Sequence, residues 1–171
     1  FSPGPGESRF VEEKRHYAKP IPVNDLVLLD RERCILCDRC TRFAKDVAGD
    51  PLISFIGRGS STQVNTFPDH PFSSYFSGNT VQICPVGALT SGIYRYQTRP
   101  WEMQHVGTVC THCSNGCKTT LGVRDGQIMR GNNRDKSGIN GEFLCVKGRY
   151  GFDFIEHQER LQSPMKRVGT N

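Results

Sequence analysis

The sequence has 171 residues, with 22 Lys and Arg against 17 Asp and Glu, eight Cys, 18 Gly, ten Pro and a net charge of +5. That length fits one medium domain or two small ones, and with 36% apolar residues and only four Ala there is little material for long amphipathic helices. The chain reads as loop-rich, with small cores that need staples. No run approaches the roughly 18–20 consecutive apolar residues of a membrane helix, no secretory signal is visible, and charges of both signs are mixed rather than massed as nucleic-acid binders mass them.

Residues 1–24 are rich in Pro and Gly, then charged, then Pro-rich again at Lys19-Pro20-Ile21-Pro22, the pattern of an extended connector. Phe1 at one end and Gly169-Thr170-Asn171 at the other read as cut from something longer. Leu26 to Leu29 is a strand-like run, and Thr41 to Ala48 reads as a short helix stopped at Gly49-Asp50-Pro51. Leu52 to Ile56 and Gln63 to Phe67 read as a hairpin turning at Gly57-Arg-Gly59-Ser-Ser. Phe72, Tyr75 and Phe76 are expected to pack in the core ahead of Asn79 to Leu89. Residues 90–106 read as a link between two small domains. Beyond it, Thr119 to Val123 and Gln127 to Gly131 are strands around the Asp125-Gly126 hairpin signal. Residues 131–141 are a polar loop, and a helix is expected to start at Tyr150 and run to His157.

The cysteines carry the chemistry. They stand at 34, 37, 40 and 84, then at 110, 113, 117 and 145, two tight triplets each followed by one distant Cys. Disulfide frameworks belong mainly to short secreted chains. Structural zinc usually takes its four ligands as two separated pairs, although a zinc ion remains open for the second group. A [4Fe–4S] cubane suits the first group best. An x2 spacing turns three thiolates toward one centre, and a remote Cys-Pro, here Cys84-Pro85, meets the fourth corner. Ala44 stands where a two-cluster ferredoxin would place its next Cys, so this segment holds one cluster.

Gly4-Pro-Gly-Glu-Ser-Arg-Phe10, Asp30-Arg-Glu-Arg-Cys34, Cys37-x2-Cys40-Thr-Arg-Phe43 and Phe76-Ser-Gly-Asn-Thr-Val-x2-Cys84-Pro-Val-Gly-Ala-Leu89 resemble the large iron–sulfur subunit family of bacterial respiratory complex I, NADH–quinone oxidoreductase. Cys110-x2-Cys113-x3-Cys117 with Cys145 resembles the [4Fe–4S] domain at the front of molybdopterin oxidoreductases. The resemblance implies an α+β fold of two small loop-rich iron–sulfur domains, the second with short β-hairpins and a following helix. It implies a connector at 1–24, a relay-type cluster domain at 25–102, a second cluster domain at 103–159 and the start of a truncated domain at 160–171. Cys34, Cys37, Cys40 and Cys84 would hold one [4Fe–4S] cluster in the path from NADH and flavin toward quinone. Cys110, Cys113, Cys117 and Cys145 would hold a second, mainly structural cluster, found in bacterial members.

Implied partners are the other peripheral-arm subunits of complex I, at the cytoplasmic face of the bacterial inner membrane. No nucleic acid, no membrane insertion, no small-molecule substrate and no catalytic site of the chain's own are expected. Family members also carry further cluster domains upstream and a molybdopterin-fold domain downstream, which this sequence does not include. Lys147 is expected as a cation near the second cluster, Arg33, Arg39 and Arg42 as cations flanking the first, and His112 as a neighbour of the second rather than a ligand. Two alternatives stand beside this reading: the iron–sulfur segment of an NAD-dependent formate dehydrogenase or hydrogenase, and a structural metal-staple scaffold.

Overall fold

A computed structural model describes residues 6–133 and 135–169; the expectations for residues 1–5, Arg134, Thr170 and Asn171 lie outside them. The architecture is mixed, with three small sheets and a few one-turn helices. The first sheet orders β1 (Ile21–Pro22), β2 (Val27–Leu29) and β5 (Leu89–Ser91) as β1-β2-β5, antiparallel throughout. Leu29 faces Leu89, and Asp30 N donates to Ala88 O at 2.8 Å. This pairing holds the start of the first cysteine loop beside the segment that carries Cys84.

The expected hairpin is present as β3 (Ile53–Ile56) and β4 (Gln63–Thr66), with Phe55 opposite Val64. Ile53 and Val64 enter a core with Val23, Val27, Leu29, Ala44, Phe72, Ala88 and Leu89. Cys34, Cys40 and Cys84 pack against that core. The helix expected from Thr41 begins two residues earlier as α1 (Arg39–Arg42). It continues as a wider π turn over Phe43–Val47, closed by Ala48 N on Phe43 O at 2.9 Å.

The third sheet orders β6 (Gln104–Val109), β7 (Lys118–Arg124) and β8 (Gln127–Asn132) as β6-β7-β8. Asp125 and Gly126 sit at φ 51° and 81°, the left-handed pair that a tight hairpin turn demands. The strand β6 was not expected, because its first residues fell in the supposed link. All six of its residues are exposed, so no buried face writes an alternation into the sequence.

Two expectations need correction. Of the three aromatics, only Phe72 is buried; Tyr75 and Phe76 are 47% and 38% exposed and meet each other edge to face at 5.7 Å. The last helix is α3 (Val146–Tyr150), not a helix starting at Tyr150. Cys145 caps it, its sulfur accepting from Gly148 N, and the chain leaves the helix at Gly151. Gly148 within it disguised the helix, and only a 3-10 turn follows, at Asp153–Ile155.

Candidate metal centres

Cys34 and Cys37 lie on the loop between β2 and α1, and Cys40 lies in α1 itself. Leu36 and Asp38 adopt φ 55° and 64°, a left-handed conformation rare for a side chain as bulky as Leu. These two reversals curl the loop within seven residues. Asp38 then holds the start of α1, its carbonyl accepting from Arg42 N at 3.0 Å while Thr41 Oγ1 donates to its carboxylate. Cys84 closes the site from the end of α2 (Asn79–Ile83), its N–H bonded to Thr80 O at 3.1 Å. All four cysteines line one small cavity, whose remaining wall includes Leu29, Ile35, Val64, Val86, Ala88 and Leu89.

Burial pushes the Cys40 thiol up to about 11, and the neighbouring Cys34 and Cys84 add to the effect. Sulfurs crowded in an apolar pocket cannot all ionise without a cationic partner. This donor set therefore suits a cationic metal centre. All eight cysteines are free thiols. Among the described residues no three His, Cys, Asp or Glu side chains close around a single ion.

The second triplet fills the turn between β6 and β7. Val109 pairs with Lys118, and Cys110 N donates to Cys117 O at 2.8 Å. Gly116 supplies φ 66°, which the sequence reserved for it. A Cβ built on Gly148 would stand 3.3 Å from Cys110 Sγ and 3.8 Å from Cys145 Sγ, so α3 brings Cys145 to the triplet over a residue with no side chain. Two donors aim at these sulfurs: Asn115 Nδ2 at Cys117 Sγ (2.9 Å) and Gly148 N at Cys145 Sγ (3.4 Å). The neighbouring Cys145, burial and the sulfurs of Cys113 and Cys110 all raise the Tyr75 pKa. Its phenol therefore keeps its proton. Cys113 is the one exposed cysteine; the other seven are half-buried.

The remaining candidates separate by charge. Arg33 pairs with Asp30 at 3.3 Å and Arg42 with Asp38 at 3.7 Å. Arg39 has no ion pair among the described residues, so it is the cation of the three whose charge is not balanced locally. His112 packs edgewise on Phe154 at 5.6 Å, while His16, His70, His105 and His157 are exposed. Lys147 lies on α3 and lines a separate cleft of about 900 Å3 that no cysteine reaches.

The residues that sequence reasoning missed sit where the two halves meet. Asn79, Gln82 and the backbone carbonyl of Tyr75 come from the first, Leu144, Val146 and Arg149 from the second, and the Phe43 ring packs tilted against Phe143 at 5.1 Å. For Asn79 and Arg149 the only signal was polarity at positions now buried, and partners some 70 residues apart leave no local pattern.

Two family models match. The ferredoxin-like domain of NADH-quinone oxidoreductase subunit 3 covers residues 24–90, and the molybdopterin oxidoreductase Fe4S4 domain covers residues 103–157. The chain is 51% identical over 167 residues to the NADH-quinone oxidoreductase G subunit of Streptomyces coelicolor, 98% of this chain and 20% of that protein. It is 43% identical over 169 residues to the corresponding G 2 subunit of Rhizobium meliloti, 98% of this chain and 20% of that protein. To subunit 3 of the Thermus thermophilus enzyme it is 40% identical over 163 residues, 95% of this chain and 21% of that protein. The chain thus spans about a fifth of the length of these relatives. None of them is a formate dehydrogenase or a hydrogenase, and that alternative is not favoured. Carrying both iron–sulfur domains in this order, the chain belongs, over its whole length, with the family of NADH-quinone oxidoreductase iron–sulfur subunits known as G or 3.

Proposed function

We propose that the chain holds two [4Fe–4S] clusters and relays electrons as part of an NADH–quinone oxidoreductase. Residues 25–102 form the relay unit, with Cys34, Cys37, Cys40 and Cys84 as its ligands. Residues 103–159 form the second unit, with Cys110, Cys113, Cys117 and Cys145, and its main role is structural. The observation that carries this is the gathering of the four sulfurs of the first quartet on one apolar cavity, inside the stretch matched by the ferredoxin-like model. A cubane cluster takes up and releases one electron without making or breaking a bond to a substrate.

The rest is work for the chain's own residues. Leu29, Val64, Ala88 and Leu89 keep water from the cysteines, and low polarity of this kind is one of the levers on cluster potential. The N–H groups of Asn115 and Gly148 withdraw charge from the second set of sulfurs. Ile35, Leu36 and Val86, exposed by 61%, 41% and 38%, border the first quartet and offer an apolar face to another subunit of the peripheral arm. Among the described residues no helix is long and apolar enough to cross a membrane, which suits a place in that arm, on the cytoplasmic side of the bacterial inner membrane.

The test is an iron and acid-labile sulfide assay with reductive EPR on the full-length protein purified without oxygen. About eight irons per chain, as two cubanes require, and two separable signals are expected. Within the assembled complex, NADH should reduce the first. Zinc in place of iron, or a first signal that no reductant elicits, would overturn the relay.

A further inference from the structure

Arg149 is 5% exposed, yet among the described residues no carboxylate pairs with it. Its guanidinium donates instead to Asn79 Oδ1 at 2.8 Å, Gln82 Oε1 at 3.0 Å and Gly131 O at 3.4 Å. Asn79 and Gln82 lie on α2, Arg149 on α3. The fully buried Asn79 is used to its limit: its amide nitrogen serves Phe76 O and Leu144 O, and its oxygen also accepts from Leu144 N. Gln82 sends its own amide to Asn133 O at 2.7 Å and Glu142 O at 3.1 Å. Each helix is about one turn long and adjoins a cysteine. Helix α2 runs into Cys84, and α3 springs from Cys145, whose carbonyl accepts from Arg149 N at 3.0 Å.

A guanidinium out of water without a counter-charge is costly to keep. What it offers in return is a planar group of fixed donors, Nη2 serving both amide oxygens and Nη1 the Gly131 carbonyl, a spread over three acceptors that a compact ammonium cannot copy. Burial draws its pKa down to about 10, while Tyr150 and Cys145 hold it up, so the group is charged at neutral pH.

We propose that Arg149 is a positioning residue that ties the fourth cysteine of one quartet to the fourth cysteine of the other, so that a loaded second quartet holds Cys84 in place for the first. This rests on reading both quartets as cluster ligands, and it gives the second cluster a defined role, which is to steady the relay site through α3, Arg149 and α2.

The experiment follows iron release to a chelator, without oxygen, from the full-length protein. The EPR signals of the two clusters are recorded separately. Cys145→Ala, which removes the second cluster, and Arg149→Met should each speed iron loss from the first quartet by about tenfold and broaden its signal, within the usual range for coupled sites. The double variant should be no faster than Cys145→Ala alone, because both changes break the same tie. Arg149→Lys should behave like Arg149→Met. Gln82→Met removes one of the three acceptors of the guanidinium on a less buried residue and remains informative if Arg149→Met does not fold; about threefold faster loss is expected.

Multiplying effects in the double variant would overturn the tie. So would a first quartet whose iron loss and signal are untouched by Gln82→Met. An unaltered protein that binds no iron at either quartet would instead sink the cluster reading itself.

Discussion

Gly78 precedes α2 with φ −61° and ψ −20°, a right-handed conformation that alanine adopts freely. By the backbone alone, Gly78→Ala should stabilise the protein by about 0.4–1 kcal/mol, through a less mobile unfolded chain. Packing argues the other way. A Cβ there would stand 2.6 Å from Arg149 Cδ, 2.8 Å from Tyr150 Cε2 and 3.0 Å from the Tyr150 hydroxyl oxygen, whereas carbons in contact settle at about 3.5–4.0 Å. Arg149 cannot swing aside without releasing Asn79 and Gln82. Overpacking of this kind costs about 1–3 kcal/mol, so the net expectation is a loss of about 1–2 kcal/mol. At about 2–4 °C per kcal/mol for a chain of this size, the melting temperature should fall by several degrees. Gly107→Ala is the comparison, because Gly107 lies on the exposed edge strand β6 with nothing within 4 Å of a Cβ. It should melt at or slightly above the unaltered protein. Thermal unfolding by circular dichroism at matched iron content reads both. Should Gly78→Ala melt as high as the unaltered protein, the claim that Arg149 and Tyr150 fill that space is wrong.

Other consequences can be measured on the same material. Asn115→Leu removes the 2.9 Å bond to Cys117 Sγ; an EPR redox titration should find the second cluster's midpoint more negative and the first unmoved, since N–H donors to sulfur favour the reduced state. Arg39→Glu replaces the cation of the first loop that has no ion pair among the described residues and should lower the first midpoint; an unchanged midpoint would remove Arg39 from the account. In metal-free protein, the Cys40 thiol is raised from 9.0 to about 11, so the folded state holds that proton more tightly than the unfolded state does. Its contribution is fully present below pH 9 and lost as pH rises through 11, by up to 2–3 kcal/mol on the order of magnitude. Denaturant midpoints of unaltered and Cys40→Ser metal-free protein should therefore converge between those pH values, and a constant gap would refute the burial argument.

Local chemistry explains which parts of the chain were legible. The β7–β8 hairpin could be read because Asp125-Gly126 tolerates the left-handed turn that joins the strands. The β3–β4 hairpin could be read from its short strands and glycine turn. Helix α3 was misplaced, since a helix capped by a cysteine and interrupted by Gly148 carries neither a usual cap nor an apolar repeat. Strand β6 escaped because its six exposed residues carry no alternation, and the exposure of Tyr75 because tertiary packing, not local pattern, decides which aromatic is covered.

By itself, the sequence determined the donor chemistry, because thiol spacing within a loop of seven or eight residues is a local property that keeps three sulfurs close together whatever the rest of the chain does. It also determined the two-part order of the chain. Only the tertiary structure decided how those parts are joined: which cysteine loop sits on the apolar core, which arginine keeps an unbalanced charge, and that Arg149 reaches across to Asn79 and Gln82. Those contacts lie 67 to 70 positions apart. Side chains so distant meet only once the intervening segments have folded, so no periodicity or motif could have announced them.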